Sequence, residues 1–355
     1  MSVGNSEKRV DAYEKVTGRA KYTGDFVHGQ MLVAKILHST IANGIVKSMD
    51  ITEAEKIPGV VKVFTCFDVP QNQYPTAGHP WSTEPAHQDI SDRLLLNKRV
   101  RIFGDDIGAV VAEDEVAATR AIRAIKVEYE EYTPCVTIEE GLKNTEHPIH
   151  DEHPTNVLKH HGFELGNYED AIQEKKLLFL EKTYKTQSVQ HCHIEPAISY
   201  AYMEGGRIVV VSSTQIPHIA RRVVAQALGL PWGMVRIIKP YIGGGFGNKQ
   251  DVLYEPLNAW LSTQVGGRCV RLEISREETF ASTRCRHAIN FTMTTAFRPD
   301  GRLVARKLVA YSNQGGYASH GHAIVANAAN EFKQLYQDEK ATKADAYTVY
   351  SDIAS

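Results

Sequence analysis

Ten residues, YIGGGFGNKQ at 241–250, concentrate the types that bring a charged group against bare backbone. Three glycines, an aromatic and a fourth glycine follow an apolar run, and Asn248, Lys249 and Gln250 come next. Glycine has no Cβ, so the main chain here can take unusual angles and approach a ligand closely. Where such a loop passes from a strand into a helix, backbone N–H groups and the positive helix end can meet an anion or an oxo group. Two phosphate-binding forms fail on the residues present. A Walker loop needs Gly-Lys followed by Ser or Thr, but Lys249 lies between Asn248 and Gln250. A dinucleotide fingerprint needs a third glycine where Asn248 stands, and an early strand–helix–strand context. A tight turn alone remains the plain alternative for an isolated Gly-Gly-Gly.

Histidines form two groups. His147, His150 and His153 lie in EHPIHDEHP, whose prolines and acids mark a surface connection, and spacing by threes outside a helix does not converge ligands. In QHCHIEP, strand alternation would put His191, His193 and Glu195 on one face, as a ligand set or a polar seam. The seam is favoured because short histidine patterns arise often by chance. The five cysteines, Cys66, Cys135, Cys192, Cys269 and Cys285, lack the spacings that hold zinc or iron–sulfur clusters and are expected to be reduced.

The elements that must position these residues read as a mixed α/β (α+β) fold. The chain has 355 residues, 43% hydrophobic and 23% charged, with a formal charge of -2, enough for two cores and without a basic footprint for nucleic acid. No signal-peptide core opens it and no segment approaches the roughly 20 apolar residues of a membrane span, so a cytoplasmic location is expected. Residues 31–39, 59–69 and 106–114 read as strands, 114–125 as a helix and 125–132 as a returning strand. Further on, 177–186, 197–204, 207–214 and 235–242 read as strands, and 287–297 with 302–313 as a hairpin about Pro299–Asp300–Gly301. Helices are expected over 214–230, with Thr214 as cap and Pro217 in the first turn, and over 251–264, stopped by Gly266 and Gly267. The division is 1–140 as a small α/β domain, 141–160 as a polar linker and 161–355 as a second domain.

In order and distance, VDAYEKVTGRAKYTGDF, PGVVKVFTCFDVP, RVRIFGDDIGAVVAEDEVAA, QHCHIEP, VVVSSTQIPH and KPYIGGGFGNK resemble the molybdenum-binding subunit of the xanthine dehydrogenase and aldehyde oxidase family. The resemblance implies a hammerhead-type α/β domain followed by the first part of a molybdopterin-binding domain. It implies that Gln215 reaches an oxo ligand of molybdenum, and that Phe246 and Gly247, after Gly245, lie against the metal with their amides toward its ligands. Without it, Gln215 reads as a helix-entry amide capping its neighbours. The implied reaction hydroxylates an electron-poor carbon of a heterocycle or aldehyde with water as oxygen source, assisted by a glutamate base. Electrons then leave through the pterin to 2Fe–2S clusters and FAD on partner chains.

Three departures shape the expectation. Gln250 stands where xanthine-oxidising relatives carry a purine-binding glutamate, and an amide does not exchange a proton near neutral pH. Those relatives also place a substrate arginine in the segment matching Ala323 to Asn330, yet no arginine follows Arg306. The chain stops before the family's arginine-glycine loop and catalytic glutamate, so no catalytic residue is assigned here. The chain alone is expected to be inactive, with the site completed by a second molybdenum-binding chain beside the FAD and iron–sulfur subunits. The expected substrate is a purine or similar small heterocycle. The alternatives are a non-catalytic fragment or assembly module, or a relative acting on nicotinate, aldehydes or carbon monoxide.

Overall fold

In the computed structural model, which describes residues 3–26, 29–78, 83, 87–144, 146–333, 336 and 339–354, the strand Asp106–Ala112 is buried at all its positions. A run of Ile, Ala and Val covered on both faces suits an interior strand. Its neighbours, Leu32–His38 and Val60–Thr65, come from the first part of the chain, but the sheet they share also takes strands from the second. In sequence order the strands are β1 Leu32–His38, β2 Gly44–Asp50, β3 Val60–Thr65, β4 Arg99–Val100, β5 Asp106–Ala112, β6 Lys126–Glu131, β7 Val157–Leu165 and β8 Leu178–Lys185. They continue as β9 Ile198–Glu204, β10 Arg207–Ser212, β11 Val235–Ile238, β12 Val270–Glu273, β13 Ile289–Phe297, β14 Leu303–Gly315 and β15 Ala341–Tyr350.

The largest sheet runs β11-β10-β9-β12-β1-β5-β3. Strand β1 joins β12 in parallel, Leu32 opposite Val270, and β5 in antiparallel fashion on its other side. Strands β4, β2 and β6 make a small second sheet, and β7-β15-β14-β13-β8 a third. The first sheet therefore spans the expected boundary between the two parts. One core cluster does the same, with Leu32, Phe64 and Val111 packed with Leu257, Trp260, Leu261 and Leu272. Phe64 meets Trp260 edge-on at 4.8 Å between ring centroids.

The expected surface linker, 141–160, differs from the structure. Ile149, His150 and Asn156 are buried. Asn156, at φ 56°, accepts from the Ile149 N–H at 2.8 Å and donates to the Gly141 carbonyl at 2.9 Å, so a polar side chain supplies the bonds that let the segment go inside. His150 pairs with the Gly316 carbonyl at 2.8 Å, and burial pulls its pKa down to about 3, leaving it neutral. His147 stacks on Tyr132.

The helices follow their local signals. Asp114 accepts from the Ala117 N–H at 2.8 Å and opens helix Glu115–Ala124. Pro217 opens helix Pro217–Ala227. Helix Glu255–Gln264 starts later than its apolar spacing predicts, because Val252 donates its N–H to the Thr76 carbonyl at 3.0 Å instead of to its own turn. Gly266 and Gly267, both at positive φ, follow its end. Among the described residues no helix is long and apolar enough to cross a membrane.

A buried charge cluster ties the first sheet to helix Arg276–Ser282. His38 Nδ1 lies 3.1 Å from Asp106 Oδ1, and its Nε2 3.5 Å from Glu278 Oε1. Burial opposes the positive charge on His38, but the two carboxylates outweigh it and raise the ring to about 10. Burial likewise opposes the charge on Glu278, which His38 and the Ser275 N–H hold down at about 2. The contribution of His38 is complete below 6.5 and fades as pH rises toward about 10. That of Glu278 is complete above 4.5 and is lost as pH falls toward about 2. In urea unfolding, His38→Asn is expected to cost about 3–5 kcal/mol. The deficit should be largest between pH 4.5 and 6.5 and shrink toward pH 10; a deficit flat across that range contradicts the cluster.

Candidate functional site

Two chain segments meet where the glycine loop leaves β11. After β10 the chain turns through Ser213, Thr214 and Gln215 before Pro217 starts its helix. Thr214 does not cap this helix as expected: because Pro217 begins it, Ile216 stands at the cap position without a side-chain bond, and the Thr214 hydroxyl accepts from the Ile216 N–H at 3.1 Å within the preceding turn. The Gln215 N–H donates to the Lys249 carbonyl at 2.8 Å, and Gln215 Oε1 accepts from the Gly247 N–H at 3.2 Å. The backbone and the carboxamide of Gln215 are thus both fixed to the loop.

Each glycine has a separate reason. A Cβ on Gly245 would stand 2.3 Å from Gln215 Oε1, and one on Gly243 would stand 2.5 Å from the Glu195 Cβ. Gly244 and Gly247 both sit at φ 98°, a region that favours glycine. Phe246 has no such licence: it is held at φ 51° and the residue is 76% exposed. Left-handed backbone on a bulky residue costs about 1–3 kcal/mol and marks a place where the surroundings dictate the conformation.

Those surroundings are charged and buried. Glu195 Oε2 accepts from the Gly243 N–H at 2.8 Å and from Lys249 Nζ at 2.7 Å. Burial lowers the Lys249 pKa and Glu195 works against that shift. On the other side Arg284 Nη1 donates to the Gly247 carbonyl at 3.1 Å and to Asp251 Oδ1 at 3.1 Å. Asp251 also accepts from the Ser319 hydroxyl at 2.6 Å. Burial would raise the Asp251 carboxyl, but Arg284 first and then its other partners hold it well below the usual carboxylate range. Asn248 Nδ2 donates to the Arg284 carbonyl at 2.7 Å. The loop is gripped from both flanks.

Some donors of the loop remain unspent. Among the described residues the N–H groups of Gly244, Gly245 and Phe246 and the Nε2 of Gln215 meet no acceptor. This cradle of amide donors, one side-chain amide and no Cβ at Gly245 suits a compact, oxygen-bearing group. Phe246 also lines a pocket of about 490 Å³ with His191, Arg284, Arg286, His287 and Phe291. Exposed Gln250 flanks Gly247, its Oε1 4.0 Å from where a Gly247 Cβ would stand.

The structure brings Gln215, Gly245 and Gly247 into contact, puts Phe246 at the pocket and leaves Gln250 at the edge. The loop does not run straight into a helix, since a short 3-10 turn, Asn248–Gln250, intervenes. QHCHIEP is not a strand, because Cys192 at φ 50° breaks the alternation. His193 and Glu195 form a polar seam against Gly244 and Gly243 instead. Among the described residues no group of three or more His, Cys, Asp or Glu converges as for a metal ion. Sequence reasoning missed Arg284 and Asp251; an acid directly after the loop was the available signal.

Residues 17–133 match the aldehyde oxidase and xanthine dehydrogenase a/b hammerhead domain, and residues 149–355, more than half of the chain, match the molybdopterin cofactor-binding domain. The xanthine dehydrogenase molybdenum-binding subunit of Escherichia coli O157:H7 is 44% identical over 329 residues, 92% of this chain and 43% of that protein. The chain therefore spans less than half the length of that relative. The nicotinate dehydrogenase large molybdopterin subunit of Eubacterium barkeri is 33% identical over 328 residues, 92% of this chain and 74% of that subunit. The aldehyde oxidoreductase of Desulfovibrio desulfuricans superimposes with a TM-score of 0.90 at 25% identity, over 98% of this chain and 39% of that one.

Gly245→Ala tests the contact between loop and glutamine. It is expected to destabilise the chain by about 1–3 kcal/mol, and to speed hydrogen exchange of the Gly247 amide at least about tenfold by displacing its acceptor. Unchanged exchange at Gly247 contradicts the geometry.

Proposed function

The chain belongs to the family of the molybdopterin cofactor-binding domain and the aldehyde oxidase and xanthine dehydrogenase hammerhead domain, and from that premise we propose that it forms the loop-and-glutamine wall of a molybdenum–molybdopterin site. The enzyme is a xanthine dehydrogenase-like hydroxylase that oxidises a purine or similar heterocycle with water as oxygen source. The observation that carries this reading is the seat of Gln215 on the bare loop, Oε1 fixed by the Gly247 N–H and Nε2 left to donate. The cradle fits the cofactor: Gln215, Gly245, Phe246 and Gly247 would hold it, through one side-chain amide and main-chain N–H groups where a Cβ at Gly245 would clash.

When bound, the group supplies the oxidation chemistry, drawing two electrons from the substrate carbon. This chain's residues bind and orient. Gln215 donates toward the group in a direction set by Gly247, at a site organised before the reaction. Phe246 offers a ring face to a planar substrate and excludes water from one side. Gln250 can hydrogen-bond a ring nitrogen or carbonyl, but holds no exchangeable proton near neutral pH. No carboxylate lines the Phe246 pocket among the described residues, so the general base and the electron path are assigned to further polypeptide: a second molybdenum-binding stretch, an iron–sulfur subunit with 2Fe–2S clusters and an FAD-binding subunit. A relative's nicotinate specificity is a second reading. Ile324 and Ala328 form the pocket wall where purine-oxidising relatives are expected to carry an arginine.

Coexpressed with those partners, the chain is expected to copurify with molybdenum in elemental analysis. Gln215→Ala should lower turnover about 10²–10³-fold, the loss that follows removal of one preorganised donor. Wild-type turnover by the variant removes Gln215 from the site, and a metal-free wild-type assembly removes the site itself.

A further inference from the structure

The pocket beside Phe246 has a charge pattern that the proposed reaction alone does not explain. Two arginines are among its lining residues, each carrying a guanidinium group. That of Arg284 is buried and neutralised by Asp251 at 3.1 Å. That of Arg286 is exposed, and among the described residues no carboxylate lies within ion-pair distance of it. Its backbone is nonetheless fixed: the Arg286 N–H donates to the Val189 carbonyl at 2.8 Å, and the Val189 N–H to the Arg286 carbonyl at 3.1 Å. The side chain therefore leaves from a pinned point on the pocket wall. Histidine could only add to that positive charge, and burial opposes it. Burial pulls His287 down to about 3, so the ring is neutral, and burial lowers His191 as well. The remaining surface is largely apolar and aromatic, from Phe246, Phe291, Ile289 and Ile324. The pocket thus presents flat apolar walls and one uncompensated positive charge.

Resting on the proposed site, we infer that this pocket selects planar aromatic substrates carrying a negative group, and that Arg286 pairs with that group. A carboxylate or ionised lactam on a heteroaromatic ring fits both features. The ring lies among Phe246, Phe291 and the aliphatic side chains, while the anion meets a planar fork of N–H donors that matches carboxylate geometry. Arg286 is then a specificity-determining residue, supplying the cationic contact missing from the Ala323–Asn330 segment, where Ile324 and Ala328 stand. A neutral ring of the same shape gains the apolar contacts only.

Calorimetric titration of the full chain with pyridine-3-carboxylate and with its uncharged analogue pyridine-3-carboxamide isolates the charge. The carboxylate is expected to bind about 10- to 100-fold tighter at low salt, the range of a charge-assisted pair. The gap should close in Arg286→Gln and persist in part in Arg286→Lys; because Arg286 is exposed, both variants are expected to keep the wild-type melting temperature. Equal binding of the two probes, no binding of the carboxylate, or a gap unchanged in Arg286→Gln overturns the inference. In the assembled enzyme, Arg286→Gln should raise KM for the anionic ring at least about tenfold with kcat little changed, leaving a neutral aldehyde unaffected. Molybdenum present with no charge gap sinks the assignment of Arg286 alone. A metal-free wild type with the gap intact sinks the site reading and leaves the anion preference standing.

Discussion

A hydrogen bond of 3.2 Å, from the Gly247 N–H to Gln215 Oε1, joins the turn after β10 to the loop after β11. The carboxamide lies where a Gly245 Cβ would be, so Gly245 must be bare for the bond to exist. The loop is bent into left-handed angles at Gly244, Phe246 and Gly247, a shape that does not persist unaided. Glu195 with Lys249 on one flank, and Arg284 with Asp251 on the other, supply the external grip. Buried ion pairs of this kind add little net stability, but removing one partner is costly, so they fix a conformation more than they strengthen a fold. The consequence is a loop whose Gly244, Gly245 and Phe246 N–H groups meet no acceptor among the described residues, beside a glutamine amide.

The same logic explains why the scaffold crosses its own expected boundary. The loop and the turn hang from β11 and β10 at one end of the large sheet, and β1, β5 and β3 extend that sheet at the other. The early part of the chain is therefore continuous with the platform that carries the site. The His38 cluster ties β1 and β5 to helix Arg276–Ser282, whose following residues Thr283 and Arg284 hold Asn248 and Gly247. Stability and site geometry share one connected set of contacts.

Local signals carried much of this into the sequence. Alternating or continuous apolar runs marked β1, β3, β5, β9 and β10, Asp114 and Pro217 marked helix starts, and the glycines marked bare backbone. Which strands pair is not local: the parallel match of Leu32 with Val270 bridges distant positions that no periodicity reports. Strand β15 and helix Gly321–Phe332 escaped because small alanines replace the large apolar residues on which period-finding relies. The segment 144–156 read as polar and exposed, yet Asn156 at a left-handed angle satisfies the backbone from inside. In the site, the loop was legible from composition and Gln215 only from the order of motifs. Arg284 was not legible, since nothing in its neighbours signals that it reaches back to Gly247.

The central claim is that the open face of this seat is made for a bound oxygen-bearing group. A crystal structure of the chain assembled with its partners and loaded with molybdenum cofactor tests it directly. The account predicts Gln215 Nε2 within about 3.2 Å of an oxygen of that group, with Gln215 Oε1 still on the Gly247 N–H and the Gly244–Phe246 amides facing the cofactor. A cofactor bound elsewhere, or a Gln215 amide turned away onto a protein acceptor, contradicts it.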